Sequence, residues 1–269
     1  MNIRTPAVAG MFYPASSGEL SAIVDGMLGE VPASGATSPK ALVVPHAGYI
    51  YSGPTAAVAY QALTNRQTIR HVVLLGPVHR VPVRGLALPD AEAYATPLGL
   101  IPLDIAAMQG LTELPQVVVF DAAHQQEHSL EVQLPFLQRV LEDFTLLPLA
   151  VGDASPAEVA EVLACLWGDD DTLILISSDL SHYHPYGEAR RLDAATADAI
   201  RHLRGPISHQ QACGATAVNG MLQLASERQM SCRLLDLRNS GDTAGDRERV
   251  VGYGALAFYE AAKRGAGDA

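Results

Sequence analysis

Thr172-Leu-Ile-Leu-Ile-Ser177 is a short, β-branched apolar run that stops at Ser178-Asp179-Leu-Ser-His182-Tyr-His184. A run this short, bounded by polar residues, reads as a strand buried on both faces rather than as a helix. Two other runs have the same form: Ala41-Leu-Val-Val-Pro45 ends at His46, and His71-Val-Val-Leu-Leu-Gly76 ends just before His79. A fourth, Arg233-Leu-Leu-Asp-Leu237, leads into Asn239-Ser-Gly-Asp242. In open α/β sheets, ligands bind outside the carboxyl ends of the parallel strands, so residues distant in sequence can converge there. Imidazoles and carboxylates together suit a divalent metal or proton-transfer chemistry.

Extending this reading predicts strands at 41-45, 71-76, 144-151, 172-177, 231-238 and 249-259, separated by helices at 54-65, 130-142, 155-167, 188-203 and 211-227. The alternation predicts an α/β fold: one three-layer domain over 1-269, with a central mostly parallel or mixed sheet and helices on both faces. Ser155-Pro-Ala-Glu158 has the form of a helix start, with a serine cap, proline in the first turn and an acid three residues on. The proline-rich stretch 82-120 lacks a clear period and is expected to hold short strands, one short helix and loops. Gly168-Asp-Asp-Asp171 is read as a solvated turn.

The 269 residues are 48% apolar and 17% charged, enough for a large core, and no composition shift divides them. A net charge of -11 without clustered Lys and Arg argues against a nucleic-acid partner and favours small molecules or protein segments. Cys165, Cys213 and Cys232 are scattered, so neither a disulfide framework nor a cysteine zinc knuckle is indicated. Met1 to Gly18 has no secretory pattern and no run approaches the roughly 20 apolar residues of a membrane span. A cytoplasmic protein without a membrane partner is expected.

His46 lies in Pro45-His-Ala-Gly48-Tyr49-Ile-Tyr51-Ser-Gly53, where glycines permit close approach of a ligand, although a loop histidine bonded to a carbonyl would look the same. His79 gains weight from its matching position, since two imidazoles supply half of a common divalent-metal site. In the 177-184 cluster, Asp179 is expected to orient His182 as a base, with His184 less favoured; capping by Asp179 and Ser181 is the plain alternative. Glu127-His128-Ser-Leu-Glu131-Val-Gln133 opens a predicted helix, so His128 and Glu131, or Glu127 and Glu131, share a face and can line a pocket, or can simply be surface residues at a helix start. Asp242 is a candidate third ligand, completing a triad of two histidines and one carboxylate, with Asp246 competing for that role and an exposed hairpin loop as the alternative. Cys213 is read as buried packing rather than as a nucleophile.

These motifs together resemble the Memo family, relatives of the class III extradiol ring-cleaving dioxygenases, almost end to end. The resemblance rests on Ala7-Val-Ala-Gly-Met-Phe-Tyr-Pro14, Pro45-His46-Ala-Gly-Tyr49, Leu75-Gly-Pro-Val-His79, Glu127-His-Ser-Leu-Glu-Val-Gln133, Ser177-Ser-Asp-Leu-Ser-His182, Cys213-Gly214 and Asn239-Ser-Gly-Asp242. It implies a central sheet flanked by helices, with His46 and His79 at the family's metal-binding histidines and His182 at the acid/base position of the ring-cleaving relatives. Animal members carry a cysteine as third iron ligand, and this chain offers Asp242 near that place, shifted by about one residue. Animal members are described as scaffolds for receptor-tail peptides and as iron-binding redox proteins. Microbial ones, protein B-like components of the AmmeMemoRadiSam system, are grouped with a radical-SAM partner.

The leading expectation is a non-haem Fe(II) oxidoreductase of dioxygenase type acting on a small substrate. In it His46, His79 and Asp242 hold the metal, His182 with Asp179 moves a proton, and Tyr49, His128 and Glu131 line the pocket. Zn(II) or Cu are the alternative metals. A peptide-binding scaffold and a metal-dependent hydrolase are the alternative functions.

Overall fold

The computed structural model describes residues 2–32 and 37–261. Its first part contains β1 (Ile3–Arg4), α1 (Ser17–Gly29), β2 (Ala41–Val44), α2 (Tyr49–Gln61), β3 (His71–Pro77), β4 (Leu86–Leu88), β5 (Ala93–Thr96), β6 (Gly99–Pro102), α3 (Ile105–Leu111), β7 (Val117–Val119) and α4 (Ala122–Gln125). There follow α5 (Leu134–Val140), β8 (Thr145–Val151), α6 (Pro156–Cys165), β9 (Thr172–Ser177), β10 (His182–His184), α7 (Tyr186–Arg201), α8 (Ala215–Glu227), β11 (Ser231–Asn239) and β12 (Val250–Tyr259).

The apolar runs form the middle of one mixed sheet, in the order β10-β12-β2-β9-β3-β8-β4-β7, with β11 also paired to β12. β2, β9, β3 and β8 are mutually parallel, whereas β12 and β4 join them antiparallel. Every residue of β2 and β9 is buried. That is why these strands are apolar throughout instead of alternating. Helices cover both faces: α1, α2 and α5 pack on one another, α6 packs on α8, and α7 lies against β11 and β12. A second, three-stranded sheet joins β1, β5 and β6.

Local chemistry sets the boundaries. Ser155 accepts from Glu158 N while the Glu158 carboxylate accepts from Ser155 N, the reciprocal cap expected for α6. The helix expected at 54-65 starts earlier, at Tyr49, and carries Pro54 inside it at the loss of one backbone bond. The one expected at 130-142 is divided into a 3-10 turn, Glu131–Gln133, and α5, with Pro135 in the first turn of α5. The stretch 82-120 holds four short strands and one helix, as its irregular pattern predicts. Helix α1 was not anticipated, although its buried Leu20, Val24 and Leu28 recur every four residues. Asp169 and Asp170 are exposed in a turn.

A buried histidine fastens the two sheets. His124 accepts a hydrogen bond from Tyr94 OH at Nδ1 (2.7 Å) and donates from Nε2 to Ala87 O (2.9 Å), linking β5 of the small sheet to β4 of the large one. Burial pushes its pKa down to about 4 from the ordinary 6.5 of a histidine. The unfolded chain therefore takes up this proton first as the pH falls: the stabilisation is whole above 6.5 and lost on passing through 4. A shift of this size is worth roughly 3 kcal/mol. Between pH 6.5 and 4, metal-free wild type is expected to lose about that much more stability, by urea denaturation, than His124→Gln does. The comparison with the variant removes Asp179, whose raised carboxyl pKa acts with the opposite sign. Equal acid slopes would show that His124 is not held neutral.

Candidate metal centre

His46 follows β2, His79 follows β3, and Asp179 with His182 follow β9, the strand between them. Parallel pairing therefore delivers all four to one edge of the sheet. His128 reaches the same place from the segment between α4 and α5. One ring nitrogen from each of His46, His79 and His128 lies within 4.8 Å of the other two. The ring centroids are 5.3 Å apart for His46 and His79, 5.4 Å for His46 and His128, and 4.5 Å for His79 and His128. His46 is buried, His128 part-buried and His79 exposed, so the group is closed beneath and open above.

The surrounding hydrogen bonds decide which nitrogen of each ring is free. Ser177 Oγ has one proton, which it donates to Ser129 O (2.6 Å), while it accepts from Gln133 Nε2 (2.9 Å). Toward His46 Nδ1, 2.9 Å away, it can only accept. His46 therefore carries its proton on Nδ1 and its lone pair on Nε2. The Glu127 carboxylate accepts from His79 Nδ1 (2.8 Å), His79 N (2.6 Å) and Ser129 N (2.9 Å), which commits His79 Nδ1 as a donor and leaves Nε2 as the ring's available ligand atom. Its Oε1 is also 3.3 Å from His128 Nδ1. Gly76 makes this approach feasible, because a Cβ there would sit 2.7 Å from Ser129 Oγ, which donates to Pro77 O.

Burial keeps His46 and His128 neutral, while Glu127 stays charged. Burial lowers the pKa of His46 well below 6.5, and neighbouring His128, His79 and His182 lower it further. Burial likewise brings His128 to about 4, with the charge of Glu127 opposing it. Burial alone would raise Glu127, but the hydrogen bond and charge of His79 outweigh it and hold the carboxyl at about 2. Neutral imidazoles with lone pairs fixed by a carboxylate and a hydroxyl are what a borderline divalent metal requires. The donor set fits such an ion.

Beside the group opens a cleft of about 380 Å³, lined among others by Val78, His79, Val151, Cys213 and Thr216. Cys213 Sγ is 3.3 Å from His46 Nε2. Burial first, and the charge of Asp179 second, push its thiol up to about 12, so it faces the site as a thiol and not as a thiolate. His182 donates from Nδ1 to Leu180 O (2.9 Å), which frees its Nε2, and it lies close enough for its charge to act on His46.

Several expected roles move. Asp242 is not in the ligand group: its carboxylate accepts from Tyr186 OH (2.5 Å) and Asn239 N (3.0 Å), closing a short 3-10 turn. A polar turn at a strand end satisfies its own backbone first. Asp246 does the same, accepting from Glu248 N and Arg249 N. His128, expected to line a pocket, joins His46 and His79 in the group that could hold a metal. Glu131 is fully buried, paired with Arg4 Nη1 (2.5 Å) and accepting from Ala7 N, Val8 N and Tyr13 OH, so it anchors the amino-terminal segment. Tyr49 is buried with its hydroxyl on Val132 O. Asp179 accepts from His46 N (2.7 Å) rather than orienting His182, and burial pushes its carboxyl up to about 7. Glu127, Ser177 and Gln133 were not singled out as orienting groups. The acid beside His128 was the visible cue for Glu127.

A family model described as Memo-like protein matches residues 4–257. A MEMO1 family protein of Aquifex aeolicus is 37% identical, the match covering 96% of this chain and 100% of that protein. One from Ignicoccus hospitalis is 36% identical over 96% of this chain and 99% of its own length. An uncharacterized protein from Escherichia coli K12, of known crystal structure, superposes with a TM-score of 0.52 at 15% identity, covering 82% of this chain and all of that one. At that identity the likeness bears on the fold alone.

Removing the carboxylate that fixes His79 should weaken metal binding without unfolding the protein. Glu127→Gln is expected to lower affinity for Zn(II) or Fe(II) by roughly 10- to 100-fold in a competition titration. His128→Ala should abolish stoichiometric binding, and Asp242→Ala should retain it. Metal lost in Asp242→Ala and kept in His128→Ala would reverse the assignment.

Proposed function

This chain belongs to the Memo family, and from that premise and its three-histidine group we propose that it is a metal-dependent oxidoreductase of dioxygenase type acting on a small chelating substrate. The observation that carries the reading is the set of three imidazoles, His46, His79 and His128, gathered within 4.8 Å beside an open cleft that His79 lines. Bound there, Fe(II) would supply Lewis acidity and redox capacity and lower the cost of deprotonating the substrate. Ser177 and Glu127 hold the ligand nitrogens in place. His182, with Nδ1 committed to Leu180 O, offers Nε2 as the proton acceptor. Cys213 and Val78 lie along the cleft that the substrate would fill.

A second reading has its own support. Three imidazoles and no carboxylate are also the donor set of catalytic zinc with one open position, which suits hydrolysis by a bound water.

Anaerobically purified protein reloaded with Fe(II) is expected to take up oxygen when supplied with a suitable chelating small molecule, and zinc-loaded protein is not. His182→Ala should keep its iron and lose turnover by about 10²- to 10⁴-fold, the range of general acid–base catalysis. Normal turnover in that variant would remove His182 from the mechanism. Zinc-supported turnover insensitive to oxygen would replace the oxidoreductase with the hydrolase, and absence of specific metal binding in wild type would favour a peptide-binding scaffold.

A further inference from the structure

Beside His182 the backbone is strained. Tyr183 has φ of 63°, in the left-handed region, and the pairing of β10 with β12 shifts register between His182 and His184. For a bulky residue this conformation costs roughly 1–2 kcal/mol. Such strain collects at functional sites and ligand clamps. Here it leaves the ring of Tyr183 63% exposed, with its centroid 5.7 Å from the His182 ring.

The guanidinium of Arg249 lies over that ring, 5.0 Å from its centroid. Next to it, Arg190 and Arg247 lie over Tyr186 at 5.8 Å and 4.5 Å. Arg190, Arg247 and Arg249 are exposed. Among the described residues none of the three forms an ion pair, although the chain carries 29 acids against 18 basic residues. Three neighbouring acids have partners of their own: Asp242 has Tyr186 and Asn239, Asp246 the backbone of Glu248 and Arg249, and Glu188 has His184. A guanidinium stacked on an aromatic face is pre-positioned yet keeps its N–H edge free for a carboxylate or phosphate. Arg249 is thus one aromatic ring removed from His182, which in turn stands beside the ligand histidines.

We propose that Tyr183 and Arg249 form an anion-binding clamp at the mouth of the three-histidine site, so that the substrate carries a carboxylate or phosphate beyond its metal-chelating end. This rests on the chelating-substrate reading above and specifies the substrate class. Strain at Tyr183 places the ring, the ring positions the guanidinium, and the guanidinium selects charge.

The test uses zinc-loaded full-length protein and two probes that differ only in the anion, benzohydroxamate and its 4-carboxylate, titrated by calorimetry. Wild type is expected to bind the carboxylate form about tenfold or more tightly, the worth of one charge-assisted hydrogen bond. Arg249→Gln and Tyr183→Gly should each erase that preference while leaving benzohydroxamate affinity unchanged, and glycine at 183 relieves the strain instead of threatening the fold. Arg233→Gln, which removes an arginine stacked on Tyr259 at the opposite end of β12, should change nothing. Equal affinity of wild type for the two probes, or an Arg249→Gln loss shared by both, overturns the clamp and leaves the metal site standing. Binding of neither probe to metal-loaded protein overturns the chelating-substrate reading and the clamp with it.

Discussion

Everything at the site depends on the in-register parallel pairing of β2, β9 and β3. Val44 stands opposite Ser177, and Leu75 opposite Ile176. These strands are covered on both faces, so their backbone groups have no water to turn to and must pair along their whole length. The chain can turn polar only where pairing stops. That point comes within one residue of the same level in all three strands, and His46, His79 and Asp179 each lie two residues past it.

Burying polar groups at this level is tolerable because the networks are closed. Ser177, fully buried, spends its single proton on Ser129 O and accepts from Gln133 and His46. An unpaired buried group of this kind would cost about 1–3 kcal/mol. The same bonds that prevent that loss also dictate the tautomer of His46. Fold stability and ligand readiness are one arrangement of hydrogen bonds here.

Two acids four residues apart divide these tasks. Glu131 is consumed by Arg4 and the amino-terminal backbone, so it holds the segment 4–13 against the sheet edge. Glu127 faces the other way and fixes His79. With no carboxylate among the ligand nitrogens, an ion on His46, His79 and His128 would keep its full positive charge and favour anionic donors. The free arginines at the mouth extend that preference outward.

Apolar runs without alternation, the positions of their ends and the motif order were enough to specify an α/β sheet, two of the three histidines that gather at its edge and the family. Those features are local, or they follow from strand period and burial, which a linear sequence records directly. Helix α1 is equally legible from the spacing of Leu20, Val24 and Leu28. The third member of that group was decided in three dimensions. Asp242 and His128 both stand in polar segments near the sheet edge, and nothing in their spacing says that Asp242 will close its own turn while His128 stacks on His79 at 4.5 Å. Nor does spacing reveal that Glu127 and Glu131 face apart, because residues 127–130 are not helical and only a 3-10 turn, Glu131–Gln133, follows them. Which of several eligible side chains a site takes depends on competing partners brought in from elsewhere in the chain, and only the packed structure resolves that competition.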